Sequence, residues 1–342
     1  MASAPLSPAS LLLTDWSASP TGLALVVLAA APYAVSVLRG RRVGVTWPWW
    51  RPAIYVLVGL GSLAYAVCGP LAVHRTDVFW VACLQIGVLA SVTPVGLALG
   101  DPVGLVRARV LADPAGPAGR RPLVLRLLEG RLARVLTFPA VSSLLAVGTL
   151  LVVMLTPWFE LTTRSAGAAA ILYVVLLLTG LLFVLPLLTE DLLPSWATPA
   201  VRTFLAFVDG LLDAVPGIVV MTSSTLLAPG FPGFATGVSG LTPAMDQKYG
   251  GGALLAVAES IGIPVIAAVF VEWVRSDERE ARRIDEQLDA LREPWLAPGG
   301  RHEPGGADPA AVGHDGPEPE DRSDRPWWED DPRLAARFWQ RD

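Results

Sequence analysis

Seven stretches of about twenty apolar residues dominate this chain, more than the interior of a soluble fold of this length can hide. They cover residues 21–38, 52–71, 77–99, 137–157, 167–189, 200–222 and 251–274. A hydrocarbon core about 30 Å thick is crossed by about 20 residues of helix, which is the length of these runs. None alternates apolar and polar residues as a strand of a membrane barrel would. Charged residues make up 17% of the chain, against about 25% in a typical soluble domain, so the surplus apolar side chains need lipid as their solvent. The expected fold class is all-α: a polytopic membrane helix bundle with seven transmembrane helices.

The connections set the expected orientation. Arg39, Arg41, Arg42 and Arg51 follow the first run, Arg107, Arg109, Arg120, Arg121, Arg126, Arg131 and Arg134 fill the third connection, and Arg275, Arg279, Arg282 and Arg283 follow the last run. All three groups fall on one side of the bundle. The other side carries Arg75, Arg164 and Lys248, so the positive-inside rule predicts an N-out, C-in chain. Trp47, Trp49, Trp50, Trp158 and Trp273 stand at helix ends, where amphipathic rings favour the interface. The first twenty residues have no basic stretch ahead of an apolar one, so a cleaved signal peptide is not expected.

Four regions are expected: a transmembrane domain over 1–275, a cytoplasmic amphipathic helix over 276–295, a disordered acidic Pro/Gly-rich linker over 296–326 and a short aromatic motif over 327–342. From Ser276 onward the chain holds 18 acidic and 10 basic residues, which separates this tail from the apolar body. Ile284, Leu288 and Leu291 recur at helical spacing, and Trp327, Trp328, Phe338 and Trp339 restore hydrophobicity at the end. Docking on the protein, the membrane surface or a partner are the roles open to that last motif. The longest outer connection, Ser223 to Gly252, contains Pro229-Gly230-Phe231-Pro232-Gly233, reads as turns without helical period, and is placed to cover the outer mouth.

Polar groups within the runs are the candidate site, because an ionisable side chain near mid-bilayer costs a few kcal/mol and normally faces the bundle interior. Gln85 lies on the third run, Asp209 and Asp213 lie four apart on the sixth, and Glu259 lies on the seventh. One polar cavity lined by all four is the expectation, with helix packing as the plain alternative, since Pro216-Gly217 follows the Asp pair and frees backbone groups nearby. Soft metal ligands in the membrane region are Cys68, Cys83, Met154 and Met221, while His74 lies at an outer helix end and His302 and His314 lie in the tail. Copper(I) favours such sulfur donors. No phosphate-binding glycine loop, nucleophile elbow or zinc helix is present, so an enzyme is not expected.

Several motifs share their order and spacing with a known family. These are Trp47-Pro48-Trp49-Trp50-Arg51, Gln85 followed by Pro94 and Leu99-Gly100-Asp101-Pro102, and Leu136-Thr137-Phe138-Pro139. Gly180-Leu181-Leu182-Phe183 with Pro186 and Met221-Thr222-Ser223-Ser224-Thr225-Leu226-Leu227 come next. Asp246-Gln247 with Gly250-Gly251 and Trp273-Val274-Arg275-Ser276-Asp277-Glu278-Arg279-Glu280-Ala281 complete the set. Over residues 20–285 the chain resembles the CtaG-type cytochrome c oxidase assembly factors in their actinobacterial form. The resemblance implies a membrane protein that helps supply copper to the copper B centre of haem-copper oxidases through membrane histidines. The third-helix histidine motif falls here at Ala82, Cys83, Leu84, Gln85 and Ile86, so the glutamine alone matches. The fifth-helix histidines fall at Tyr173 and Val175, and the sixth-helix one near Asp213.

Copper is thus the one cofactor implied, with its usual imidazoles absent. Cys83, Asp213, Asp209 and Met221 are the residues left to hold it, although carboxylates are hard ligands for copper(I). Asp246, Gln247, Gly250 and Gly251 form a candidate outer-loop motif. The expected partners are the lipid bilayer and haem-copper oxidase subunits or another assembly factor, not nucleic acid. A structural or partner-docking membrane protein and a proton-coupled small-solute transporter are the competing readings.

Overall fold

The computed structural model describes residues 12–112, 130, 135–136, 138–188 and 199–296. The arginines from Arg120 to Arg134, the acidic linker and the aromatic motif of the sequence reading lie outside these residues. Two units divide the chain at Ala281, and the contacts below belong to the first.

The described residues are helical, without a strand among them. Helix α1 is Pro20–Arg42, capped by the Ser19 hydroxyl, which accepts from the Gly22 amide at 3.0 Å. Helix α2 covers 50–67 and stops at Gly69-Pro70, since proline cannot continue the hydrogen-bond ladder. A short α3, Pro70–His74, follows, then α4 over 79–99 and α5, Pro102–Ala112. Next come α6 (Pro139–Leu155), α7 (Trp158–Arg164), α8 (Ala166–Leu188), α9 (Pro199–Thr222), a short α10 (Pro232–Thr236) and α11 (Pro243–Leu296). Both α2 and α4 contain a wider π-helical turn, at Tyr55–Leu60 and Val88–Val92.

Among the described residues four helical spans are long and apolar enough to cross a membrane: Pro20–Arg42, Trp50–His74, Phe79–Ala112 and Ala166–Leu185. A fifth arises if Ala140–Leu155 and Trp158–Arg164, bent by 71° at Pro157, count as one span. The sixth expected run lies on α9, whose Gly210–Thr222 portion is apolar but shorter than a span, and the seventh lies within α11. The protein is therefore an all-helical membrane bundle with four to five candidate spans.

The span Phe79–Ala112 is the centre of the bundle, with 72% of its apolar window buried, whereas the window of α1 is 11% buried. Helix α8 packs on both α4 and α6, and α6 packs on α9. The main core joins Leu63 and Leu71 with Phe79, Cys83 and Leu89, and continues through Val153, Met154, Leu172 and Leu176. At the other end Tyr33 stacks on Tyr55, with centroids 3.7 Å apart, beside Leu97 and Leu105.

Glycine sets the closest crossings, as expected where lipid supplies no hydrophobic drive and helices must gain by contact. A Cβ on Gly59 of α2 would stand 2.8 Å from the Leu97 amide nitrogen of α4. Likewise a Cβ on Gly217 of α9 would stand 2.8 Å from the Leu255 nitrogen and 2.9 Å from the Gly251 oxygen of α11. Pro216-Gly217, read from sequence as a source of freed backbone groups, thus serves as a contact surface. The connection expected to run to Gly252 ends sooner: α10 interrupts it, and α11 begins at Pro243. The Met245 amide donates to the Thr242 hydroxyl at 3.3 Å, so a Thr-Pro start opens the helix ahead of its apolar stretch.

A methyl group at Gly217 must push backbone against backbone. Gly217→Ala is expected to lower stability by about 1–3 kcal/mol, read as a fall in melting temperature of the purified protein in detergent. An unchanged melting temperature would count against the crossing.

Candidate functional site

Besides the Ser62–Thr93 hydroxyl pair at 2.9 Å, two sets of buried polar side chains lie along α4. The first centres on Gln85, which is 2% exposed. Its Nε2 donates to the Ala66 carbonyl of α2 at 2.6 Å and to the Tyr173 hydroxyl of α8 at 3.0 Å. One amide thus ties three helices where no water can compete, which raises the cost of losing it. The Arg75 guanidinium lies 5.9 Å from the Tyr173 ring centroid and donates from Nη2 to the Thr162 carbonyl at 2.9 Å.

The second set closes the end of the bundle where α4 begins. The first amides of a helix have no partner within it, and the residue before α4, Val78, provides no side-chain cap. Asp246 of α11 supplies the acceptors instead: the Phe79 amide donates to Oδ2 at 3.2 Å and the Trp80 amide to Oδ1 at 2.9 Å. A carboxylate at this position also meets the positive end of the helix dipole. Next to it, Gln247 Oε1 accepts from the Leu227 amide at 2.8 Å while Nε2 donates to the Thr225 carbonyl at 3.0 Å, which fixes the connection between α9 and α11. The Gly230 amide donates to Glu160 Oε1 at 2.8 Å. Between these clamps Phe79, Phe159, Phe231 and Phe234 pack ring against ring at centroid distances of 5.1 to 5.9 Å. The connection therefore does fold over this end of the core.

Asp246 precedes the seventh apolar run, and burial pushes its carboxyl above the ordinary 3.8, opposed by the hydrogen bonds from Trp80, Phe79 and Ser239.

The other candidates are spread out. Cys83 is fully buried and faces Gly250, where an added Cβ would stand 2.9 Å from its sulfur. Gly251, one residue on, lies against the Met221 backbone of α9. The glycine pair is thus a junction at which α11 meets α4 on one side and α9 on the other. Met221 and Asp213 are half-buried, Glu259 is exposed on α11, and the side chain of Asp209 lies outside the described residues. Gln85 has its partners on α2 and α8, so the structure does not bring it together with Glu259. Among the described residues no three His, Cys, Asp or Glu side chains converge on a metal-sized site. The amide of Gln85 is already engaged, and Cys83 is sealed by Phe79 and Gly250. The described residues therefore do not fit a transferable copper ion.

Sequence reading misses the partners of these groups. Tyr173 and Asp246 stand out only through family motifs. His74, which reads as a helix-end residue, is buried with Nε2 3.2 Å from Asp15 Oδ2. The opposite end holds a further pair, Arg51 Nη1 and Asp101 Oδ2 at 2.7 Å, with the guanidinium 4.6 Å from the Trp47 ring. The available signal was the WPWWR and LGDP motifs, one bearing a cation and the other an anion at helix ends on the same side.

Several apolar spans, helix crossings made by glycine and buried polar ties define an integral membrane helix bundle. The motif pattern of one family, the cytochrome c oxidase caa3 assembly factors (Caa3_CtaG), matches residues 31–276. The chain belongs to this cytochrome c oxidase caa3 assembly factor family. It is also similar to the uncharacterized protein Mb0105 of Mycobacterium bovis, 30% identical over 286 residues that cover 81% of this chain and 42% of that protein. The uncharacterized protein ML1998 of Mycobacterium leprae is 27% identical over 268 residues, 78% of this chain and 40% of that protein. The chain thus spans about two fifths of the length of the curated relatives it matches. No solved structure is similar to it.

Removing the Asp246 carboxylate leaves two amides without acceptors. Asp246→Ala is expected to cost about 1–3 kcal/mol, with Asp246→Asn milder because one oxygen remains. Since the folded carboxyl titrates above its unfolded value, the folded state binds more protons just above pH 3.8, so this group's contribution to stability falls as pH rises through that window. Melting curves over pH should show this component in the wild type and not in Asp246→Asn; its persistence in the variant would assign it elsewhere.

Proposed function

We propose that the chain is a non-enzymatic accessory factor in the assembly of a haem-copper oxidase, and that it acts by holding a partner of that assembly within the membrane. Family membership over residues 31–276 carries this reading. The matched segment contains the buried ties made by Gln85 and Asp246, so the part of the chain that resembles the family is also the part built as one polar-locked scaffold. Copper is not required by this reading: the positions where the resemblance would place imidazoles hold Ala82, Ile86, Tyr173 and Val175. The polar chemistry of Tyr173 is spent on Gln85.

The proposal includes seven membrane crossings with the N-terminus outside and the C-terminus in the cytoplasm of a bacterial cell. An uneven division of arginine supports this orientation. Arg39, Arg41, Arg42, Arg51, Arg107 and Arg109 belong to the end that holds the Arg51–Asp101 pair, while Arg75 and Arg164, bonded to Thr162 and Gly230, stand at the other. Single cysteines placed near residue 120 and near residue 236, labelled from outside intact cells by a membrane-impermeant thiol reagent, test the orientation. Labelling is expected at the second position; labelling at the first would reverse it.

Deletion of the coding sequence is expected to reduce assembled haem-copper oxidase, seen in membrane haem spectra and oxygen consumption under copper limitation, with recovery on complementation. Unchanged spectra and activity would sink the assembly reading. Stoichiometric copper in the purified protein, lost in Cys83→Ser and Asp213→Asn, would favour copper carriage over partner holding.

A further inference from the structure

Among the described residues at the Arg51 end, arginines outnumber acids beside apolar surface. Residues 33–51 and 101–112 together hold six arginines, Arg39, Arg41, Arg42, Arg51, Arg107 and Arg109, and one acidic residue, Asp101. That carboxylate is engaged: Oδ2 accepts from Arg51 at 2.7 Å and Oδ1 from the Gly104 amide at 2.8 Å. Arg109 turns inward, its Nη1 donating to the Ser36 hydroxyl at 3.2 Å while its stem lies over Gly40. Arg39, Arg41 and Arg42 are exposed, and none of them forms a salt bridge among the described residues.

The surface around them is apolar. Val35, Leu38 and Val43 of the α1 end are exposed, and at the start of α2 Trp49 is 82% exposed with Trp50 beside it. The two helix ends are neighbours, since the Tyr55 hydroxyl donates to the Ala29 carbonyl at 2.8 Å and Tyr33 stacks on Tyr55. One cation would serve the α1 dipole. Arg39 and Arg42 follow the exposed Val35 and Leu38 at helical spacing of four, and exposed Trp49 and Trp50 open the neighbouring helix; guanidinium beside aliphatic surface matches both halves of one molecule, a phosphate headgroup and its acyl chains.

We propose that the α1 end, through Arg39, Arg41 and Arg42 with the Trp49-Trp50 edge of α2, is a binding site for the headgroup of an anionic phospholipid. The positive-inside rule accounts for the side on which these arginines lie; the site adds what they hold there, and basic pockets at helix ends are suited to that role. Lipid binding at this end is independent of any role in oxidase assembly.

The test is native mass spectrometry of the full-length protein released from detergent micelles supplied with equal amounts of phosphatidylglycerol and phosphatidylcholine. The wild type is expected to retain phosphatidylglycerol in preference by about tenfold. The triple variant R39Q/R41Q/R42Q should bind the two lipids equally, and R279Q/R282Q/R283Q, on the far part of α11, should keep the preference. Equal retention by the wild type, or a preference that survives in R39Q/R41Q/R42Q, overturns the proposal. So does complete loss of the preference on adding millimolar inorganic phosphate, which would mark a site for a free anion. Should the triple variant aggregate, the wild type in high salt decides: screening should remove the preference, and its persistence overturns the site.

Discussion

A backbone amide that enters an apolar phase without a partner costs several kcal/mol, and this rule governs how the bundle is closed. The span that contains α4 is the most buried of the four candidate spans, and its leading amides are those of Phe79 and Trp80. They are closed by Asp246, from a helix 166 to 167 positions later in the chain. The same helix fixes the connection after α9 through Gln247 and touches α4 and α9 through Gly250 and Gly251. Cap, connection and helix crossings therefore depend on one placement of α11.

The helices were legible in the sequence because their signals are local. Apolar length located α1, α2, α4, α6, α8 and α9 to within a few residues; Gly69-Pro70 explains where α2 stops and Pro157 where α6 gives way to α7. The π-helical turns were not legible, since their residues are as apolar as those of the flanking α-helical turns. The early start of α11 was missed because its first turns are polar and glycine-rich, and its capping Thr242 sits in a stretch of turn-formers. Apolar periodicity is blind to a helix whose opening turns bury an acid and an amide.

For the site, residue types were legible and partnerships were not. Gln85 reads as a polar group on an apolar run and is buried, but its partner Tyr173 reads as an ordinary aromatic until α8 is laid against α4. The four-residue cavity expected from Gln85, Asp209, Asp213 and Glu259 rested on shared depth. Depth does not fix rotation about a helix axis, and Glu259 stands exposed on α11. Asp246 and Gln247 carried no spacing signal of their own, because a carboxylate that caps a distant helix looks in sequence like any acidic residue near a helix start.

The Asp246 clamp also has a consequence in time. Phe79 is synthesised 167 residues before the carboxylate that will receive its amide, a wait of roughly 10 to 30 s at about 5–20 residues per second. During that interval the head of α4 must stay hydrated at the membrane edge or be sheltered by the insertion machinery. The arrival of α11 supplies the acceptor, and a chain released before that helix would hold α4 with its first amides still open to water.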